Sequence, residues 1–126
     1  VNSEIKAKWV AALRHGKYEQ GRGWLNRDGK MCCLGVLCEL AVAEGVIPEG
    51  VAFRSPFGDI DVEVVTYGDG CTRFPPTDVM RWAGLNERDV AVAMVDNVYP
   101  HGSLAEVNDS GEYTFKQIAD IIEKEL

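Results

Sequence analysis

The sequence has no apolar run approaching the roughly 18 residues that a membrane-spanning helix needs, so no segment of it reads as transmembrane. It also lacks a basic-then-apolar start of the kind a secretory leader shows, and the expectation is an intracellular protein. Histidine is scarce: His15 and His101 are the only two. Paired C-x-x-C motifs are absent, which speaks against a zinc knuckle and leaves no metal or cofactor expected. Neither G-x-x-x-x-G-K-S/T nor G-x-G-x-x-G occurs, so the phosphate loops of nucleotide-binding folds are excluded. There is no D-x-D-x-D-G calcium loop. Basic residues are in deficit, 13 against 20 acidic ones, and a net charge of −7 argues against general nucleic-acid affinity. Without repeats, low-complexity tracts or a linker, residues 1–126 read as a single domain, long enough to bury a core.

What is present is organised around Met31–Gly45, MCCLGVLCELAVAEG. A helix from about Cys33 to Glu44 places Leu34, Leu37, Cys38 and Ala41 on one side, with Val36, Leu40 and Ala43 covering much of the rest. A helix apolar nearly all round is a buried one. Gly45 supplies the left-handed residue after its end, and Pro48 prevents resumption. Cys32 and Cys33 are adjacent and Cys38 shares their helix, a geometry that disfavours bridges; reduced thiols in a cytoplasmic compartment are expected.

The flanking segments follow from local signals. Ser3 is read as the cap of a first helix, Glu4–His15, with Ile5, Trp9, Ala12 and Leu13 inward and Gly16 as its stop. Asp28-Gly29 marks a hairpin between Trp24–Asn26 and Lys30–Cys32. Val51–Arg54 reads as a short strand. Asp59–Tyr67 alternates as a half-buried strand, with Ile60, Val62 and Val64 opposite a wet row of Asp59, Asp61 and Glu63. Asp69-Gly70 is expected to turn it into a partner strand, Cys71–Phe74. A helix follows over Pro76–Ala83, with Val79, Trp82 and Ala83 inward and Gly84-Leu85 as a Schellman end. Val90–Val95 reads as a central strand. Ser103–Glu106 is a capping box for a short helix ending at Asn108-Asp109. Thr114–Gln117 is a second box, stapled by Tyr113 and Ile118, that opens a last helix, Phe115–Glu125. The fold class is α+β: a small, mainly antiparallel sheet packed around the central helix, with N- and C-terminal helices.

Two kinds of chemistry are open on these residues. A thiol at the start of a helix gains thiolate character from the helix dipole. Cys32 or Cys33 is so placed, with His101 as a base and Asn108 or Asp109 to orient it, as in a cysteine-dependent hydrolase or transferase. Asp109 with Glu106, or Asp96, would be carboxylates for an acid–base enzyme, but capping explains Glu106 and turn formation explains Asp109 without a substrate. The other chemistry is anion binding. Residues 1–30 hold seven bases against three acids, whereas residues 31–126 hold six against seventeen. Gly21 and Gly23 flank Arg22, making a permissive loop whose amides are expected to face an anion. Arg14, Lys17, Tyr18, Gly21, Arg22, Gly23 and Trp24 are therefore the candidate ligand-binding residues, Tyr18 or Trp24 by stacking.

Trp9, Ala12-Leu13-Arg14, Gly16, Tyr18, Gln20, Gly23, Leu25 and the block Cys32-Cys33-Leu34-Gly35-Val36-Leu37-Cys38 carry a resemblance across nearly the whole chain. It continues through Pro75-Pro76, Trp82–Leu85, Asn108–Gly111 and Phe115 with Ile118–Asp120. The chain resembles a family of small uncharacterised bacteriophage proteins, of the type found in phages of actinobacteria. The resemblance implies an accessory protein acting in the cytoplasm of the infected host, and brings no activity with it. The expected function is binding, with a host protein or a small, nucleotide-like anionic signal as partner. The cysteine enzyme and a structural or homo-oligomerising module are the alternatives.

Overall fold

The computed structural model describes residues 1–57, 60–86 and 102–126. Among them are five helices: α1 (Ser3–His15), α2 (Cys33–Ala43), α3 (Thr77–Ala83), α4 (Leu104–Asp109) and α5 (Phe115–Glu125). Five strands, β1 (Glu19–Gln20), β2 (Asn26–Arg27), β3 (Lys30–Met31), β4 (Val51–Phe57) and β5 (Ile60–Thr66), form one sheet in the order β1-β3-β2-β5-β4. The α+β expectation is met. The sheet is mixed: β1 runs parallel to β3, and the other pairings are antiparallel. A two-residue parallel strand leaves no periodicity to read, and β1 was not foreseen.

The buried central helix is as expected. Cys33, Leu34, Val36, Leu37, Cys38 and Ala41 are all 0% exposed, although Ala43 at the far end lies in solvent. Gly45 N–H donates to Val42 and Val46 N–H to Ala41, a Schellman closure made by Gly45 at φ 74°. Helix α2 packs against α1, α3 and α4, and α1 lies along α5. The indole N–H of buried Trp9 donates to the Cys33 carbonyl at 2.9 Å, so α1 is tied to the first turn of α2. Gly35 touches the neighbouring chain directly. A Cβ there would stand 1.8 Å from the carbonyl oxygen of Leu25, because α2 lies backbone to backbone on the residue before β2.

Several local expectations shift by a residue. Asn2, not Ser3, caps α1, its side-chain oxygen accepting from Glu4 and Ile5 N–H. In α3, Met80 is buried beside Val79 and Ala83, while Trp82 is half-buried. The Schellman end at Gly84-Leu85 is present, with both N–H groups donating to Arg81 and Met80. Ser103 caps α4 as expected, but Glu106 reaches back to Gly102 N–H, one residue beyond the box. The box of Thr114 and Gln117 on α5 is complete, and Phe115, Ile118, Ala119 and Ile122 are buried as the periodicity predicts.

The larger correction concerns the second hairpin. Asp69-Gly70 turns the chain, yet Cys71–Phe74 makes only a single bridge, Tyr67 to Cys71, instead of a strand. The Thr72 carbonyl accepts from Leu25 N–H at 2.7 Å, drawing this segment to the loop before β2, and β5 pairs with β4 over its whole length instead. Val62 and Val64 are buried and Glu63 is exposed, as alternation requires. The Val90–Val95 strand and His101 lie outside the described residues.

Candidate functional site

The adjacent cysteines sit where a helix dipole could activate them, but burial decides otherwise. Cys32 is 4% exposed and Cys33 0%. Desolvation pushes the Cys32 thiol up to about 11, against amides of Gly35 and Leu34 that pull it down. Burial pushes Cys33 and Cys38 well above their ordinary range too. The Cys33 thiol faces the Leu104 carbonyl at 3.8 Å. Asn108 does not orient an imidazole among the described residues: its Oδ1 accepts from the Cys33 backbone N–H at 3.2 Å. No group of three or more His, Cys, Asp or Glu able to hold a metal occurs among the described residues.

This arrangement predicts inert thiols. Iodoacetamide at pH 8 should label native protein at the half-exposed Cys71 and spare Cys32, Cys33 and Cys38 until the chain is unfolded. Because burial raises these thiols above their unfolded value of 9.0, their contribution to stability is complete below that pH. It is lost as pH rises towards 11, at up to about 1.4 kcal/mol per unit for each thiol. Urea midpoints at pH 8 and pH 10 should therefore fall on the alkaline side. Labelling of Cys32 or Cys33 well below pH 8 would restore the nucleophile.

Asn108 is instead a structural hub. Fully buried, it also donates from Nδ2 to the Gly21 carbonyl at 2.8 Å, and its Oδ1 accepts from Gln20 Nε2 at 3.2 Å. Beside it, Asp109 Oδ1 accepts the Gly23 N–H at 2.8 Å. The glycine-flanked loop and the Asn108–Gly111 turn are thus one unit, although more than 80 residues separate them in sequence.

That unit changes the anion site. The Gly23 amide is taken by Asp109, and the Gly21 amide donates to the Met31 carbonyl at 2.7 Å, so neither awaits an anion. Arg14 lies elsewhere, paired with Glu123 and, at 2.6 Å, with Asp120 on α5. Lys17 stands over the ring of Tyr18 at 5.4 Å, and the Trp24 ring carries Arg73 at 5.1 Å, so one face of each ring already meets a cation. Of the expected set, Arg22 and Gly21 line a common cleft, and the others do not join them.

The cleft has a volume of about 350 Å³ and is lined by Gly21, Arg22, Arg27, Asp28 and Lys30. Arg27 and Lys30 were missed as site residues, although the two-residue Asp28-Gly29 turn signals that positions 27 and 30 face each other. They are direct cross-strand partners in the β2–β3 hairpin. Asp28 and Gly29, at φ 53° and 81°, make the tight turn. Like charges directly opposed across a ladder destabilise it. Glu19 meets Lys30 at 3.9 Å and offsets part of this, whereas Arg22 and Arg27 have no ion pair among the described residues. Asp28 is committed to the fold, its Oδ1 accepting from Glu63 N–H at 2.9 Å. Arg27 is held between β3 and β5, opposite Val64.

Residues 1–126 match the model of a family described as a domain of unknown function, DUF8296. No curated protein and no solved structure matches the chain.

Proposed function

We propose that this chain, which belongs to the DUF8296 family, acts by binding, as a bacteriophage accessory protein that sequesters a small anionic ligand in the host cytoplasm. The observation that carries this reading is the opposed pair Arg27 and Lys30, with Arg22 opening on the same cleft. A fold that sets two cations face to face across a hairpin accepts a local cost, and such conflicts between local and global preference mark functional positions. An anion between them removes the repulsion and gains charge-assisted hydrogen bonds from two guanidinium groups. The excess of bases over residues 1–30, against the acidic remainder of the chain, favours an anion at this end of the molecule. Raised thiols without access to solvent support binding over cysteine catalysis.

Pyrophosphate, compared with chloride at equal ionic strength, should raise the melting temperature. The expected stabilisation is about 2.7 kcal/mol at a hundredfold excess over its Kd. Arg27→Ala should abolish that gain while leaving the anion-free protein as stable as before, or more so by a few tenths of a kcal/mol. No response to pyrophosphate, or an undiminished response in Arg27→Ala, removes the reading.

A further inference from the structure

Among the described residues β4 is the outermost strand of the sheet, paired only with β5. Its first half is open: Val51 is 66% exposed and Phe53 44%, and Ala52 and Arg54 are exposed as well. Such an apolar edge is a template for another strand, and folds usually blunt it with lysine, a bulge or a short length. Val51–Phe57 has no lysine, is the equal longest strand, and pairs residue for residue with β5. Its one proline falls late, at Pro56.

That proline decides which backbone groups are on offer. Pro56, in register with Asp61, has no N–H to give β5, so positions 52, 54 and 56 turn their backbone polar groups outward. The Thr66 hydroxyl donates to the Val51 carbonyl at 3.3 Å, which lies on the β5 side as this alternation requires. Ala52 and Arg54 therefore each present a donor and an acceptor at the open edge.

The edge complements itself. With Phe53 opposite Phe53 of an antiparallel second copy, Ala52 exchanges hydrogen bonds with Arg54 of that copy, and Arg54 with its Ala52. The two phenylalanines then form a non-hydrogen-bonded pair, the closer kind, where aromatic contacts stabilise a ladder. On the other face each Arg54 lies between Glu63, its cross-strand neighbour in β5, and an uncharged Ala52. Sliding by two residues either opposes Arg54 to Arg54 or parts the phenylalanines, so charge and packing select one register.

We propose that β4 is a dimer edge, at which two copies of this chain pair antiparallel about a two-fold axis at Phe53 and make one continuous sheet. The basic cleft lies beyond β5, on the β2–β3 hairpin, so this inference stands apart from the anion reading.

The test is sedimentation equilibrium of the wild-type chain, Phe53→Lys and Ala52→Pro. The 13.9 kDa monomer should give way to a species of twice that mass between about 10 µM and about 1 mM, the range of a small seam. Phe53→Lys, which opposes two ammonium groups at the axis, should weaken the dimer about tenfold or more. Ala52→Pro should do the same by removing an outward N–H that β5 does not use. Both changed side chains lie in solvent, and circular dichroism at low concentration checks that each monomer is folded. A wild-type chain still monomeric at about 1 mM overturns the inference. So does growth beyond the dimer, which a closed two-fold seam forbids. A dimer indifferent to Ala52→Pro is not held by this edge, and one indifferent to Phe53→Lys is not centred on Phe53; either result overturns it too.

Discussion

Gly35→Ala should be among the most destabilising single substitutions in the chain, lowering stability by about 3 kcal/mol or more. Helix propensity alone predicts the opposite sign, because alanine inside a helix is favoured over glycine by about 1 kcal/mol. The difference is the neighbour. The new methyl would stand 1.8 Å from the Leu25 carbonyl oxygen and 2.7 Å from its carbon, both main-chain atoms. Leu25 is itself fully buried and its N–H is held by Thr72, so neither side yields cheaply. Urea denaturation of the two proteins decides the matter. A variant as stable as wild type would mean that α2 does not lie on the backbone before β2.

Asn108→Ala should cost about 2–4 kcal/mol, a fall in melting temperature of roughly 10 °C for a domain of this size. Truncation leaves the Cys33 N–H and the Gly21 carbonyl without their partner, and Gln20 loses one of two acceptors. Leaving buried polar groups unpaired is the expensive outcome, more so than the loss of a hydrogen bond as such. Asn108→Asp is an informative second variant. It keeps an acceptor for Cys33 N–H but loses the donor to Gly21 and sets a second carboxylate beside Asp109. The loop bearing Arg22 should loosen in both, so pyrophosphate affinity should fall with stability. Thermal denaturation with and without pyrophosphate reads both effects; a melting temperature within a degree or two of wild type would show that Asn108 is dispensable.

Most helix boundaries were legible because their signals are local. Thr114 with Gln117, Gly45 after α2 and Gly84 after α3 each act within one turn of their own helix, so spacing alone identifies them. The burial of α2 was legible from composition, since a helix apolar nearly all round is a buried one. The partner of β5 was not. A turn at Asp69-Gly70 licenses a hairpin, but Thr72 is claimed by Leu25, a residue 47 positions earlier that no local pattern reveals.

The candidate site divides the same way. Its charge was visible in the excess of bases over residues 1–30, and of the seven candidates drawn from that stretch Arg22 and Gly21 line one cleft in the folded chain. Arg14 was drawn away by Asp120 and Glu123 on a helix that meets α1 only in the folded chain. The loop amides were taken by Asp109 and Met31 for the same reason.

The sequence by itself determined the α+β class, the buried apolar rod at the centre and the sign of charge at the N-terminal end, because each follows from neighbours a few residues apart. Only the tertiary structure decided that Asn108 fastens the Gly21 loop, that Gly35 must be bare, and that Arg27 joins Arg22 around one cleft. Those contacts unite positions distant in the chain, and what a side chain can offer a ligand depends on which partners the fold has already given it.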